Sequence, residues 1–459
     1  MAAMTGPGAG NADSKPAAAA ARLGSSHLSA STDLDAAPDQ LPVASVLDDS
    51  LQRRKAAAVS SIDKDGAMRD FTLVLSEGAG GGCKWAVGET QGRRGSMEDA
   101  HVVCLDADGD GSGRTALFAV FDGHSGGEVS AYCAQHIVEV LKAAPSYATG
   151  DLPAALKEAF LELDRRMQDP GSRPELAGYR QLAKADKKTR QDLADKEPAA
   201  AAAAKDVKDV AQGDQQQQQQ QHGARIVERQ ERELEVPAPR AEVPPPSRHA
   251  VKRYGMVDKD GRYVGPGAGS TAAVAVLRGD QLAVAHAGDS RVVLCENGVA
   301  QALTQDHKPD TPAERDRIYQ AGLFVMQRPG GVPRVGGSLA MSRAMGDVKF
   351  KAPELPPDRQ AVTAAPDTTQ VRLGGSQAAA PGDPAAASHP RLLVVACDGL
   401  WDVMERQQVC NFLELQLGTH GGDLRGAVRA LVHEALRHDS AASAPTTDNV
   451  TVLVAQLTP

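Results

Sequence analysis

The stretch GSTAAVAVLRGDQLAVAHAGDSRVVLCENG, residues 269–298, contains three short runs rich in Val, Ala and Leu, separated only by RGD and GDS. A parallel crossover needs a dozen or more residues, so connections this short force successive strands to run antiparallel. Similar runs that end at a turn or fill the chain between turns recur in HVVCLD (101–106), LFAVFDG (117–123), LLVVACDG (392–399) and VTVLVAQL (450–457), and each is a predicted strand. Helical spacing takes over elsewhere. Val129, Tyr132, Cys133, His136, Ile137, Val140 and Leu141 recur at i, i+3 and i+4. Leu152, Leu156, Phe160, Leu163 and Met167 do the same behind Asp151, a predicted N-cap, and Leu424, Val428, Leu431, Val432, Ala435 and Leu436 form a third stripe. Helices laid on antiparallel sheets make a layered α+β domain.

Around these elements the composition changes. Residues 1–83 are rich in Ala, Gly, Ser and Asp without periodicity and are expected to form a low-complexity, mostly disordered tail, with folding starting near Lys84. A block at 168–260 carries Ala199–Ala204, Gln215–Gln221, RIVERQERELE and Pro244–Pro246; a shorter Ala/Pro/Gly segment spans 374–390. Both read as insertions, so 84–459 is expected to be one interrupted domain with enough chain for a substantial core.

Several function classes fall away on composition. The chain has 459 residues, a net charge of −9 and 3% aromatics, which lacks the basic footprint and stacking platforms of a nucleic-acid binder. No apolar run is long enough to span a bilayer, so no membrane partner is expected. The six cysteines (Cys83, Cys104, Cys133, Cys295, Cys397, Cys410) form no Cys-x-x-Cys pair and most lie in apolar runs. Buried, reduced thiols in an intracellular, cytoplasmic or nuclear protein are the expectation. The Ala/Ser-rich start has an organellar flavour, but Asp13, Asp33, Asp35 and Asp39 argue against a transit peptide.

The chemistry is expected where acidic residues end apolar strands: Asp122 after LFAVF, Asp289 after LAVAHAG, Asp398 after LLVVAC, and Asp448 before VTVLV. One such carboxylate is usually a turn residue. Several brought together at the edge of a core cannot stay ionised without cations between them, and hard ions such as Mg²⁺ or Mn²⁺ suit oxygen ligands. Two ions about 3.5–4 Å apart can activate a shared water for in-line attack on phosphorus. His124, two residues from Asp122, can then protonate the departing alkoxide, and Arg93 or Arg94 offers a donor fork for phosphate oxygens.

RRGSMEDAH (93–101), FAVFDGHSG (118–126), GSTAAVAV (269–276), HAGDSRVVL (286–294), LTQDHKPD (303–310), RVGGSLAMSRAMGD (334–347), VVACDGLWDVM (394–404) and TDNVTVLV (447–454) together resemble the ordered motif series of the protein phosphatase 2C family. The resemblance implies a metal-dependent serine/threonine phosphatase, acting as a monomer on phosphoserine and phosphothreonine in proteins. It also implies a four-layer α-β-β-α sandwich with two central antiparallel sheets. By motif match, Asp122 bridges two Mn²⁺ or Mg²⁺ ions, Asp398 and Asp448 complete one ion's ligands, and Glu98 and the Gly123 carbonyl serve the other. Arg94 then matches the phosphate-binding arginine, His124 the general acid, and Asp99 a carboxylate that orients water. Asp289 and Asp402, with Asp398, match a weaker third metal site found in some members.

Two other readings compete. Gly123-His124-Ser125-Gly126-Gly127 satisfies the G-x-S-x-G elbow of serine hydrolases, with Asp398 and His433 as partners for Ser125, but leaves Glu98, Asp122 and Asp448 without a role. A catalytically silent binding module of the same fold is the other, although no matched metal or acid position is substituted. The bland readings are kept elsewhere: His136 packs, His307 is structural, Thr271 satisfies backbone groups, GPGAGS (265–270) is a turn, and Ser338, Ser342, Arg343 and Asp347 support the site as a polar loop. ERDRIYQAGLFV (314–325) departs from the family's flap by carrying Leu323-Phe324, which predicts a different local turn.

Overall fold

The computed structural model describes residues 53–62, 68–183, 254–374, 390–441 and 448–457. Two antiparallel sheets lie at its centre. The larger orders its strands β1 (Arg53–Ile62), β2 (Met68–Gly80), β3 (Cys83–Thr90), β19 (Val450–Leu457), β18 (Arg391–Ala396), β12 (Arg291–Glu296) and β13 (Val299–Ala302). The smaller runs β17 (Asp367–Arg372), β11 (Gln281–Ala287), β10 (Ala272–Arg278), β5 (Thr115–Phe121) and β4 (Ala100–Cys104). The stretch at 269–298 supplies β10, β11 and β12. The first two form a hairpin, and the Gly288–Ser290 turn then carries the chain from one sheet to the other.

Residues on β5 show why the strands read as unbroken apolar runs. All seven are buried, because successive side chains point to opposite faces and both faces are covered. Leu117, Ala119 and Phe121 pack with α1 (Glu128–Ala143) and α3 (Leu152–Gln168), while Ala116, Phe118 and Val120 meet Val87, Val395 and Leu453 of the other sheet. On the far side of the larger sheet, α6 (Arg406–Thr419) and α7 (Leu424–Ala441) bury Val409, Leu413, Val428 and Val432 against Val394, Val452 and Val454. The four layers are thus helices, sheet, sheet, helices. Asp151 caps α3 as predicted, its carboxylate accepting from the Ala154 N–H at 3.1 Å. Among the described residues no helix is long and apolar enough to cross a membrane.

Small pieces complete the frame. β6 (Gly123–His124), β9 (Gly269–Ser270) and β16 (Met345–Gly346) form a three-stranded patch, and β7 (Met256–Val257) pairs with β8 (Tyr263–Gly265). In the flap-like segment, α4 (Pro312–Gln320) leads to the hairpin of β14 (Val325–Met326) and β15 (Arg334–Val335). Gly322 takes the left-handed conformation there, and Phe324 is exposed, so the Leu323-Phe324 departure sits at a solvent-facing turn. Between α1 and α3 lies the short α2 (Pro145–Thr149), and α5 (Asp398–Trp401) follows β18.

Three expectations are corrected. The boundary at residue 83 falls inside the larger sheet: β2 pairs along β3, and Leu73 and Leu75 are fully buried against α7, since a sheet edge gains ladder bonds and apolar cover from the added strand. The block expected from residue 168 also begins too early, because residues 173–183 are helical and Leu176 and Ala177 join the core with α1 and α3. Residues 184–253 and 375–389, the bulk of the expected insertions, lie outside the described residues. The cysteines are not all reduced. Cys295 on β12 and Cys410 on α6 form a disulfide, their Cα atoms 5.8 Å apart, because the helix packs directly over that strand. Cys83, Cys104, Cys133 and Cys397 are free and buried, as expected.

Candidate metal centre and active site

Strand register gathers the acidic residues. In the smaller sheet the start of β4 pairs with the end of β5, and the start of β10 with the end of β11, all at one edge. In the larger sheet the end of β18 meets the starts of β12 and β19. The β11–β12 turn joins the two edges, so Asp99, Asp122, Asp289, Asp398 and Asp448, which flank these strand ends, converge although they lie far apart in sequence.

Their electrostatics record the crowding. Burial, followed by the charges of Asp398, Asp99, Asp289 and Asp448, pushes the Asp122 carboxyl well above the usual carboxylate range. Asp398 is raised for the same reasons, burial first, then Asp289, Asp448, Asp402 and Asp99. Asp99 is lifted by burial to about 7, against the hydrogen bonds that lower it, among them that from Thr451. Asp448 and Asp402 are also raised, burial again leading. Buried oxygens without partners among the described residues remain: Oδ1 of Asp99, of Asp289 and of Asp398. Such atoms are costly unless something positive meets them.

An all-oxygen, strongly negative donor set with orphaned atoms fits hard divalent cations. Among the described residues no three His, Cys, Asp or Glu side chains close on one point as a cage. Ions held here would therefore take few protein oxygens each and complete their shells with water, as Mg²⁺ commonly does.

The remaining predicted residues are placed as follows. Gly123 lies against the backbone of Glu98, whose carbonyl a Cβ at 123 would strike, so only glycine lets the two approach. The Glu98 carboxylate accepts from the Ser96 hydroxyl at 2.7 Å and the Gly126 N–H at 3.0 Å. Arg94, half exposed, forms an ion pair with Asp448. His124 bonds through Nε2 to Asp347 Oδ2 at 2.6 Å; burial lowers its basicity, but the charge and hydrogen bond of Asp347 outweigh that and raise it. Asp289 accepts from Lys308 Nζ at 2.6 Å. Asp402 ends α5 one turn beyond Asp398, to whose carbonyl its N–H donates.

Sequence reading gave three contributors no role at the site, and a fourth, Asp347, only a general supporting one. Asn449 donates to the carbonyls of Gln91 and Ser96 and accepts from the Glu98 N–H, stapling the loop that carries Arg94, Glu98 and Asp99 to the start of β19. Lys308 supplies a cation beside Asp289 and Asp306. The buried Cys397 thiol accepts from the Thr451 N–H, fixing β18 to β19 just before Asp398. Asp347 was read as part of a supporting polar loop, yet it grips His124. Asn449 directly follows Asp448, and only that adjacency could have flagged it.

The bland assignments hold for His136, which pairs with Glu175 at the core edge, and for His307, held by the Gly288 N–H and Asp367. Thr271 bonds to Ser290 and accepts from the Asp122 N–H. Ser125 has the positive φ, 62°, that a nucleophile elbow also uses. Its supposed histidine, however, is on α7 over the larger sheet, whereas Ser125 precedes α1 on the smaller one, so the hydrolase triad is not assembled.

Comparison with known proteins identifies the family and the fold. The family model described as "Protein phosphatase 2C" matches residues 84–179 and 265–444. "Probable protein phosphatase 2C 58" of Oryza sativa subsp. japonica is 33% identical over 387 residues, covering 84% of this chain and 87% of its own length. "Probable protein phosphatase 2C 60" of Arabidopsis thaliana is 34% identical over 337 residues, covering 73% and 76%. Among solved structures, a phosphatase from a pathogenic strain of Toxoplasma gondii shares the fold with a TM-score of 0.51 at 20% identity, over 88% of this chain and 96% of that one.

Proposed function

The chain belongs to the protein phosphatase 2C family, and from that premise we propose that the carboxylate cluster around Asp122 and Asp398 is its catalytic centre. The activity is metal-dependent removal of phosphate from serine and threonine in proteins. The observation that carries the site assignment is the convergence of five aspartates with three orphaned buried oxygens at one edge of both sheets.

Asp122, Asp398 and Asp448 with Glu98 and the Gly123 carbonyl are the groups that would hold two Mg²⁺ or Mn²⁺ ions, with Asp289 and Asp402 available to a third. Ions bound there would lower the pKa of water and neutralise phosphate charge. The chain's own groups do the rest. Arg94, its half-exposed guanidinium paired with Asp448, can turn its fork to phosphate oxygens. Asp99, anchored through Oδ2 on Thr451 beside the Cys397 thiol, is placed to orient water. His124 gives a proton to the alkoxide that departs as the P–O bond breaks. The catalytic domain in this reading includes β2 and the helical residues 173–183 and runs on to β19.

The test is hydrolysis of a phosphothreonine peptide by the full chain with Mn²⁺ or Mg²⁺, again with EDTA, beside a carboxylic ester. Metal-restored phosphate release without esterase activity is expected. Asp122→Asn and Asp398→Asn should each reduce turnover at least 100-fold, on the scale of lost catalytic groups, and Ser125→Ala should change it little. A folded but inactive Ser125→Ala protein would overturn the assignment.

A further inference from the structure

His124 is held from behind by a residue whose own conformation is unusual. Asp347 adopts φ 50°, a left-handed conformation that a non-glycine residue enters only where its surroundings impose it. Those surroundings are specific. Its N–H donates to the Ala268 carbonyl at 2.9 Å, and the preceding Gly346 N–H donates to the Asp164 carboxylate at 2.8 Å. Asp164 also takes the ammonium of the fully buried Lys351 at 2.6 Å, so α3 locks this segment in place. The Asp347 side chain is 2% exposed and reaches His124 Nε2 at 2.6 Å.

A second observation shows that space is reserved for this pair. A Cβ on Gly269 would collide with both Asp347 Oδ2 and His124 Nε2, so β9 passes flush against the hydrogen bond and only glycine fits there. The third concerns the other ring nitrogen. His124 Nδ1 is buried and has no partner among the described residues. A histidine that served only to pack would satisfy both nitrogens or expose one.

We propose that Asp347 is the positioning residue of the reaction: its carboxylate fixes Nε2, so that the imidazole presents Nδ1 to the leaving oxygen. The proposal rests on the reading of His124 as general acid and adds to it the residue that aims the ring and the nitrogen that donates. In the step, a water oxygen forms the new P–O bond while the bond from phosphorus to the threonine oxygen breaks. That oxygen takes the electron pair and the Nδ1 proton, the water's proton passes to solvent, and the ring is reprotonated from solvent. Asp347 keeps the Nε2–H bond throughout.

The experiment compares two leaving groups in the full chain with Mn²⁺. A threonine alkoxide needs a proton, whereas p-nitrophenolate departs as a stable anion and needs little help. Asp347→Asn suits the backbone, since asparagine tolerates the left-handed region, but it replaces the charged acceptor by an amide. It is expected to lower kcat on the phosphothreonine peptide about 100-fold and on p-nitrophenyl phosphate by far less, with KM unchanged. Gly269→Ala, which pushes the pair apart while keeping both residues, should give the same selectivity and covers the case in which Asp347→Asn does not fold. The double variant Asp347→Asn/His124→Asn should be no worse than His124→Asn alone. If His124→Asn is selective for the threonine leaving group and neither Asp347→Asn nor Gly269→Ala is, the positioning role is wrong while the general acid stands. If His124→Asn itself affects both substrates equally, the general-acid reading fails and takes the proposal with it.

Discussion

Asp122 and Asp398 each sit where burial and neighbouring carboxylates oppose ionisation. For an acid whose folded pKa is raised, the folded state holds the proton longer than the unfolded one. Stability is then present below the unfolded value of about 4 and is lost as pH rises towards the folded pKa. Without metal, the loss in melting temperature between pH 5 and pH 8 should therefore be smaller in Asp122→Asn than in the parent chain. Mn²⁺ at pH 8 should restore the parent and not the variant, as differential scanning fluorimetry would read. His286 has the opposite sign. Burial, then the charge of the stacked His307, lowers it to about 4, against the raising bond to the Gln305 carbonyl. Between pH about 6.5 and 4 the unfolded chain binds the proton and the folded one does not, so stability falls as pH falls, by at most about 1.4 kcal/mol per unit. His286→Gln should flatten that slope in denaturant titrations across the same window.

Elements carry the site by their ends. The loop before β4 holds Arg94, Glu98 and Asp99 but has little regular structure of its own; Asn449 at the start of β19 makes three hydrogen bonds to it. At roughly 1 kcal/mol each, Asn449→Ala should cost ~2–3 kcal/mol, felt locally. Hydrogen exchange is expected to rise in residues 91–98 while β5 and β18 keep their protection, and turnover should fall at least 10-fold. Equal deprotection everywhere would mean that Asn449 supports the whole fold instead of the loop. The elements themselves were readable because each β-run alternates between two covered faces and each helix keeps an apolar stripe, as on β5 and α3. β2 was not, since its Leu73 and Leu75 lie in a stretch whose overall composition resembles a tail.

At the scale of the whole molecule, each sheet buries one face on the other and one on helices, and the disulfide from β12 to α6 clamps one outer helix to its sheet. It closes a loop between residues 115 apart in sequence. A cross-link of that span restricts the unfolded chain by about 4–5 kcal/mol. Urea unfolding with reductant should show a midpoint lowered to match, with the thiols counted by mass spectrometry, and an unchanged midpoint after full reduction would remove the clamp from the account of stability.

Local patterning dictated the antiparallel hairpins at 269–298, the helical stripes, and the carboxylates at strand ends, because strand period, helix period and turn length are properties of neighbouring residues. The family motifs named the same acids and His124 one by one. What contacts across the chain decided was which groups meet: Asp347 with His124 across 223 positions, Asn449 with the loop at 91–98, and Cys295 with Cys410. Each is a short-range bond between distant positions, and its strength depends on sheet register and layer packing, which no local stretch encodes. Charge crowding at Asp122 belongs to the same class, since it exists only once both sheets bring their edges together.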